Sequence, residues 1–489
     1  MSSPAPQSAV HWFDAGRACL GIVLGWLVFS LGWISADHLP RDGDEEGHVG
    51  AAELFLGDLM RSDWVAFMER LWVGPMGEYP QAFTAGVGAW WWLFDGGQPG
   101  HVSVRSICLL SLVVAAVCTG RISRRYVREE TQGVAELTAV VVVLALPLGN
   151  GLTRHFMPEG ALVAAVAASI WLAHRLVERP GVIRAALLGL SIGAGLLTKQ
   201  TFVLVAAVPL LWVLHRMGRS GVRYGFGVVL STLAVAGPWF AQNSANQLTY
   251  GLASVFGQGD GGWWAHLVFY PNSLVLLGLG PPLAALTGIA VWRLQSHRDR
   301  RGLWLGAAWL VGGILILLLV PKKYPRLMAP LLPGVAIWIA IASSRAIHSH
   351  RWVTIGGVVS FGWLGLVSMV DLPLHPPRPA IDPGCPQVWV RPPSPDDLGL
   401  SAVAELLRTA PPGPVRIVSD PPIPCSIQTT HDWSAHLSPW LRRSGQERTI
   451  VFESSAAHRM VIDWEKGPGE EIAVPTLGVT AHIRDNLVP

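Results

Sequence analysis

Residues 103–120 read SVRSICLLSLVVAAVCTG, an apolar run broken by one charge, Arg105. A bilayer's hydrocarbon core is about 30 Å thick and takes about 20 apolar residues of helix to cross, so this stretch reads as a membrane span. Runs of the same kind recur along the first three quarters of the chain. They lie at 17–36, 134–150, 157–174, 184–198, 201–215, 224–241, 268–292, 303–320, 328–343 and 352–370. Composition agrees: 51% of the 489 residues are hydrophobic and 14% are charged, with a mean hydropathy of +0.40. Soluble proteins carry about 25% charged residues, so an ordinary cytosolic enzyme is excluded. A net charge of +3 is too small to imply a nucleic-acid partner. The expectation is a polytopic α-helical membrane protein with about 11 transmembrane helices, its partner the lipid bilayer.

One apolar segment is left out of that count. Residues 81–94, QAFTAGVGAWWWLF, are short for a span and carry three consecutive tryptophans, a residue that prefers the membrane–water interface. If 81–94 does not cross, alternate loops read RISRRYVREE, HRLVERPGVIR, HRMGRSGVR, RLQSHRDRR and SSRAIHSHR, holding 16 arginines between them. The positive-inside rule puts these loops in the cytoplasm. The opposite set includes the acidic 37–102 and a 242–267 loop without Lys or Arg. The N-terminus is therefore expected inside and the C-terminus outside. Residues 1–16 lack the basic start and cleavage site of a signal peptide, so the first apolar segment is expected to stay as an anchor.

The organisation expected is a transmembrane domain over 1–370 with a first external loop at 37–102, a Pro-rich linker over 371–395, and a small external α/β domain over 396–489. The last rests on a helical pattern at 401–408 and the strand-like runs VRIVS, RTIVF and MVIDW. Cys385 and Cys425 fall in this region, where an oxidising compartment would permit a disulfide. High Arg, Ala and Trp usage with four lysines suits a GC-rich bacterium, hence an inner membrane with its outer side periplasmic.

Four polar clusters collect on the outer side, where an ionisable residue near the apolar phase is a functional candidate. The first is Arg41-Asp42-Gly43-Asp44-Glu45-Glu46-Gly47-His48. It leads into an amphipathic pattern whose Val49, Ala52, Leu56, Leu59 and Met60 share one face, followed by a second such piece from Trp64 to Trp72. The second is Thr153-Arg154-His155-Phe156-Met157-Pro158-Glu159, the third Leu197-Thr198-Lys199-Gln200, and the fourth Pro321-Lys322-Lys323-Tyr324-Pro325-Arg326. Structural alternatives exist for each: helix-start carboxylates favoured by the dipole, an N1 proline, snorkelling interfacial cations. Against the last, Arg serves that purpose elsewhere in this chain, and three of its four lysines stand on the side that topology does not require to be positive. A phosphate at headgroup depth is the natural partner of such cations. A carboxylate could take an acceptor's proton while Lys and Arg neutralise a phosphate leaving group.

In their order, side and spacing these residues resemble a known group. An Asp-Glu pair follows span one, then amphipathic helices, then Gly77-Glu78-Tyr79-Pro80. An Arg/acid turn (Arg154 to Glu159), a Leu-Thr-Lys turn and a Pro-Arg segment (Pro325, Arg326, Pro330, Pro333) come after. This pattern, over roughly 15–345, is similar to the GT-C glycosyltransferases, in the protein-O-mannosyltransferase and aminoarabinose-transferase branch that includes a bacterial RgtA/B/C/D-like group. The resemblance implies a GT-C fold and transfer of a sugar from a polyprenyl-phosphate donor to a lipid, polysaccharide or protein acceptor on the non-cytoplasmic face, with inversion. It implies Asp44 as the catalytic acid–base group with Glu45 beside it and Glu159 as the second-loop acid, where the family usually has Asp. It further implies Lys199 and Arg326 on the donor phosphate, helped by Lys322, Lys323 and Arg154. Tyr79, His48 and His155 would position substrate. No cofactor is required; some relatives bind a divalent metal, for which His48, His155 and His266 are the weak candidates here.

Two other classes compete. A flippase for a lipid-linked saccharide would carry charges near the bilayer midplane and often inverted repeats, whereas these spans are nearly free of Asp, Glu and Lys. A non-catalytic scaffold with a sensory external domain would be indifferent to Asp44→Asn.

Overall fold

The computed structural model of the chain describes residues 10–37, 43–73, 80–97, 100–218, 220–256, 263–295, 300–320, 324–345, 349–370 and 392–393, and five strands between 415 and 482. The described parts form two compact units. One draws on 1–31 and 51–383; the other draws on 32–50 and the strands.

Each run read as a span is helical. In chain order the helices are α1 (Val10–Ala36), α2 (Gly43–Met60), α3 (Trp64–Val73), α4 (Ala82–Phe94), α5 (His101–Ser123), α6 (Gln132–Ala145), α7 (Pro147–Arg154) and α8 (Pro158–Glu178). They continue with α9 (Val182–Thr198), α10 (Phe202–Leu214), α11 (Ser220–Phe256), α12 (Trp263–Ser273), α13 (Gly280–Gln295), α14 (Arg301–Leu318), α15 (Pro333–Ser344) and α16 (Ser349–Met369). Among the described residues, six helices are long and apolar enough to cross a membrane, or up to eight if each bent pair is one span. The bent pairs are α6–α7, turned by 58°, and α15 with the 3₁₀ segment Pro325–Leu331 before it, turned by 42°. Three further apolar helices, Val182–Thr198, Phe202–Met217 and Thr354–Met369, are shorter.

The breaks have a chemical cause. Pro147, Pro158 and Pro333 each stand in the first turn of a helix, where the missing N–H costs nothing. The residues before the first two, Leu146 and Met157, are extended, as the pyrrolidine ring demands of its predecessor. At the α6–α7 bend the freed carbonyls need donors inside an apolar bundle. Asn150 supplies them: its Nδ2 donates to the carbonyls of Leu144 (2.7 Å) and Leu146 (2.9 Å), while Oδ1 accepts from Trp26 Nε1 (2.8 Å).

Packing of the first unit relies on close backbone approach. A Cβ on Gly189 would sit 2.4 Å from the Val228 carbonyl oxygen, and one on Gly193 would sit 2.8 Å from Val235 Cβ. This small-xxx-small spacing lets α9 and α11 touch, as membrane helices do without a hydrophobic driving force between them. α5 and α8 run parallel: Gly160 faces Cys108 and Ser111 at one end, and Glu178 pairs with Arg125 at the other.

α4 is a 13-residue helix, about 20 Å long and too short to span. It buries Phe83, Thr84, Ala85, Val87, Gly88 and Trp91, while Leu93 and Phe94 are exposed. Its first residue, Ala82, packs with Leu197 and Trp239. At its other end Asp95 accepts from Ser103 in the first turn of α5. Both ends of α4 therefore lie at the same end of the bundle. The stripe expected on α2 is buried at Val49, Ala52, Leu56 and Leu59, but Met60 is 55% exposed and Phe55 is buried instead. The correction follows from α3: Asp58, fully buried, accepts from Arg61 (2.7 Å) and from Arg70 of α3 (2.7 Å), which turns the end of α2.

In the second unit the strands are β1 (Val415–Ser419), β2 (Ile450–Ser454), β3 (Met460–Trp464), β4 (Glu471–Val474) and β5 (Val479–His482). They form one mixed sheet, ordered β2-β1-β3-β5-β4. β1 pairs with β2 in parallel (Val415 opposite Ile450) and with β3 antiparallel (Ile417 opposite Ile462). Of the three runs read as strand-like, VRIVS and MVIDW are β1 and β3, and the last three residues of RTIVF begin β2. The helix expected at 401–408, the linker apart from 392–393, Cys385 and Cys425 lie outside the described residues.

Candidate active site

Three chain segments far apart in sequence converge on one buried carboxylate. Glu159 enters in the first turn of α8, directly after Pro158, where the helix N-terminus favours a negative side chain. Lys199 caps α9 in an extended conformation (φ −162°, ψ 132°), which takes its side chain off the helix line. Its Nζ donates to Glu159 Oε1 at 2.6 Å. Arg326, second in the segment Pro325–Leu331, places Nε 3.4 Å from the same oxygen, and its guanidinium lies 5.0 Å from the centre of the Tyr324 ring. Glu159 is fully buried, and its Oε2 has no hydrogen-bond partner among the described residues. The side chains of Lys199 and Arg326 are 9% and 18% exposed.

Among the described residues, two cations meet one carboxylate. Lys has three N–H donors and Arg five, a donor set suited to anionic oxygens. The aromatic floor supplied by Tyr324 fits a guanidinium. Neighbouring contacts bring the interfacial helices to the same end of the bundle: Leu197 packs with Trp239 and Trp72, and Asn243 Nδ2 donates to the Trp72 carbonyl at 3.1 Å.

Arg154 is fully buried, donates to Ser368 Oγ at 2.9 Å and lies 5.1 Å from the Phe29 ring centre. His155 is buried too. Asp44 lies in the first turn of α2 and His266 in α12, their side chains outside the described residues. Glu45 is buried and His48 half-buried. Tyr79, Lys322 and Lys323 lie outside the described residues. Among the described residues no three His, Cys, Asp or Glu side chains gather as a metal site would require. Sequence reasoning places Tyr324 in the fourth cluster without a role and does not mark Asn150. Tyr324 stands two residues before Arg326, a usable signal for a stacked guanidinium; Asn150 had none, because its role depends on the bend.

Comparison with known proteins follows this geometry. Residues 93–240 match the family model of dolichyl-phosphate-mannose-protein mannosyltransferase, a stretch that includes Arg154, Glu159 and Lys199. No curated protein matches the chain. Among solved structures, the chain is similar to ArnT from Cupriavidus metallidurans bound to undecaprenyl phosphate: 15% identity, TM-score 0.58, covering 91% of this chain and 90% of that one. The apo state of the same protein gives 15% identity and a TM-score of 0.59, over 89% and 86%. The Archaeoglobus fulgidus oligosaccharyltransferase gives 12% identity and a TM-score of 0.47, over 80% and 57%. The family match covers less than a third of the chain, and the two ArnT structures share its fold.

Proposed function

We propose that the protein transfers a sugar from a polyprenyl-phosphate donor to a lipid, polysaccharide or protein acceptor on the non-cytoplasmic face of a bacterial inner membrane, inverting the anomeric carbon. The observation that carries this reading is the Glu159–Lys199–Arg326 cluster, in which two cations meet one buried carboxylate at one end of an apolar bundle. That a protein of the same fold binds undecaprenyl phosphate supports it.

In the proposed step the acceptor hydroxyl oxygen attacks the anomeric carbon as the bond from that carbon to the phosphate oxygen breaks. Asp44, with Glu45 beside it, takes the hydroxyl proton. The donor phosphate begins as a monoanionic diester and leaves as a monoester whose charge grows toward −2. Lys199 and Arg326 therefore bind the transition state more strongly than the ground state, which is what lowers a barrier. Glu159 is a positioning residue in this scheme. It holds both cations on one oxygen and reduces their mutual repulsion. Lys322, Lys323 and Arg154 add positive potential, and Tyr79, His48 and His155 orient substrate.

The test is purified full-length protein with radiolabelled polyprenyl-phosphate sugars and a membrane extract. Wild type should transfer label. Asp44→Asn should lose at least about 100-fold, the lower range for a general base. Transfer by neither protein with any donor, or equal transfer by both, overturns the reading.

A further inference from the structure

A second charged site lies at the opposite end of α8. Glu159 and Glu178 are nineteen positions apart on that helix, about 29 Å at ~1.5 Å per residue, close to the ~30 Å of a hydrocarbon core. There α5, α8 and the start of α6 border an open cleft of about 680 Å³, lined among others by Arg121, Arg124, Arg125, Arg175, Trp171 and Glu178.

The acids present do not balance these arginines. Arg121 Nε and Arg124 Nη1 share Glu136 at 3.1 and 2.8 Å, and Arg125 pairs with Glu178. Arg175 lies 6.0 Å from the Trp171 ring centre and has no acidic partner among the described residues. Four guanidinium groups thus face two carboxylates. Topological charge alone explains their side of the membrane, but it needs no shared cleft, and Arg124 and Arg125 are drawn inward to 22% and 16% exposure.

The approach to the cleft is apolar. Leu110, Val114 and Val117 are exposed at 39%, 45% and 42%. They stand at i, i+4 and i+7 on α5, and Arg121 follows four residues later on the same face. Val117 itself lines the cleft. An acyl chain laid along this stripe ends with its headgroup among the arginines, at the depth where Trp171 also fits. We infer that this cleft binds the phosphate headgroup of an anionic glycerophospholipid from the leaflet opposite the Glu159 cluster. The chemistry is that of basic pockets between transmembrane helices. A free phosphate would use the same arginines but not the apolar stripe.

The experiment uses delipidated full-length protein in detergent, its apparent melting temperature read with added phosphatidylglycerol, phosphatidylcholine or inorganic phosphate. Phosphatidylglycerol should raise it by several degrees, with phosphatidylcholine without effect. The Arg121→Gln/Arg175→Gln variant should lose that rise and retain at least threefold less phosphatidylglycerol through purification. Arg121→Lys/Arg175→Lys should keep most of it. Arg175→Gln alone, which breaks no ion pair among the described residues, guards against a folding defect and should retain less lipid than wild type. An equal response to phosphatidylcholine, an undiminished response in the glutamine variants, or equal stabilisation by inorganic phosphate overturns the proposal. No sugar donor enters this measurement, so its failure and a failure of sugar transfer are distinguishable.

Discussion

Glu159 carries the local electrostatics because both cations meet one of its oxygens. Replacing it by Gln keeps the shape and removes the charge, so Lys199 and Arg326 lose the carboxylate that they share. Two unit charges about 5 Å apart repel by about 3 kcal/mol at an effective dielectric of about 20, and breaking a buried pair typically costs about 3–5 kcal/mol. Glu159→Gln is expected to lower the apparent melting temperature in detergent clearly; an unchanged value would show that the pair is not structurally important. Lys199→Gln acts differently. It removes a charge whose role in the proposed reaction grows as the phosphate leaves, so kcat should fall about 100-fold or more while donor KM changes little. A rise in KM alone would mean that Lys199 only holds the ground state.

Much of this was legible in sequence and some was not. Lys199 and Glu159 stood out because charge is expensive beside apolar runs. That Arg326 meets the same oxygen follows only from the return of the chain after α14, a tertiary fact that no local pattern encodes. Met60 was misplaced because helical periodicity gives a face without giving the neighbour, and the neighbour, Arg70 on α3, reaches Asp58 from across the turn.

At the scale of elements, two devices keep that cluster in place. α9 ends at Lys199, and its line is set by contact with α11 through Gly189 and Gly193. Gly189→Leu forces a side chain into a backbone carbonyl and should lower the melting temperature and donor binding together. Gly225→Leu is the control, since a Cβ there meets nothing, and it should behave as wild type. If both variants behave alike, the close approach is not what positions Lys199. The second device is the bend before α7. Asn150→Leu strips the side-chain donor from the Leu144 and Leu146 carbonyls and the acceptor from Trp26; the Leu146 carbonyl keeps the Asn150 backbone N–H at 3.0 Å, so the Leu144 carbonyl and the Trp26 N–H bear the cost of about 1–3 kcal/mol for each buried group left unsatisfied. Loss of stability should exceed that of Asn150→Gln, which keeps the same polar groups. The apolar runs themselves were readable because hydropathy reports length. The bend was not, because an Asn before a loop and an Asn holding a broken helix look alike in sequence.

At the scale of the whole transmembrane unit, the two clusters on α8 lie a hydrocarbon thickness apart and differ in kind. One end gathers Lys199 and Arg326 on a buried carboxylate; the other gathers arginines at Arg121, Arg124, Arg125 and Arg175. If the arginine end is cytoplasmic, α3 and the turn after α8 must be reached from opposite sides. α4 decides the parity: because both its ends meet the same end of the bundle, it adds no crossing between α3 and α5. In a cysteine-free background, Glu69→Cys on exposed α3 and Arg179→Cys on the exposed turn after α8 test this directly with a membrane-impermeant maleimide. The thiol on α3 should react in intact cells, and the thiol after α8 only once the cells are permeabilised. Labelling of both from outside would break the geometry, since Glu159 and Glu178 share one straight apolar helix. The reverse pattern would keep that geometry and turn the sugar-transfer site toward the cytoplasm, where the proposed acceptor is not.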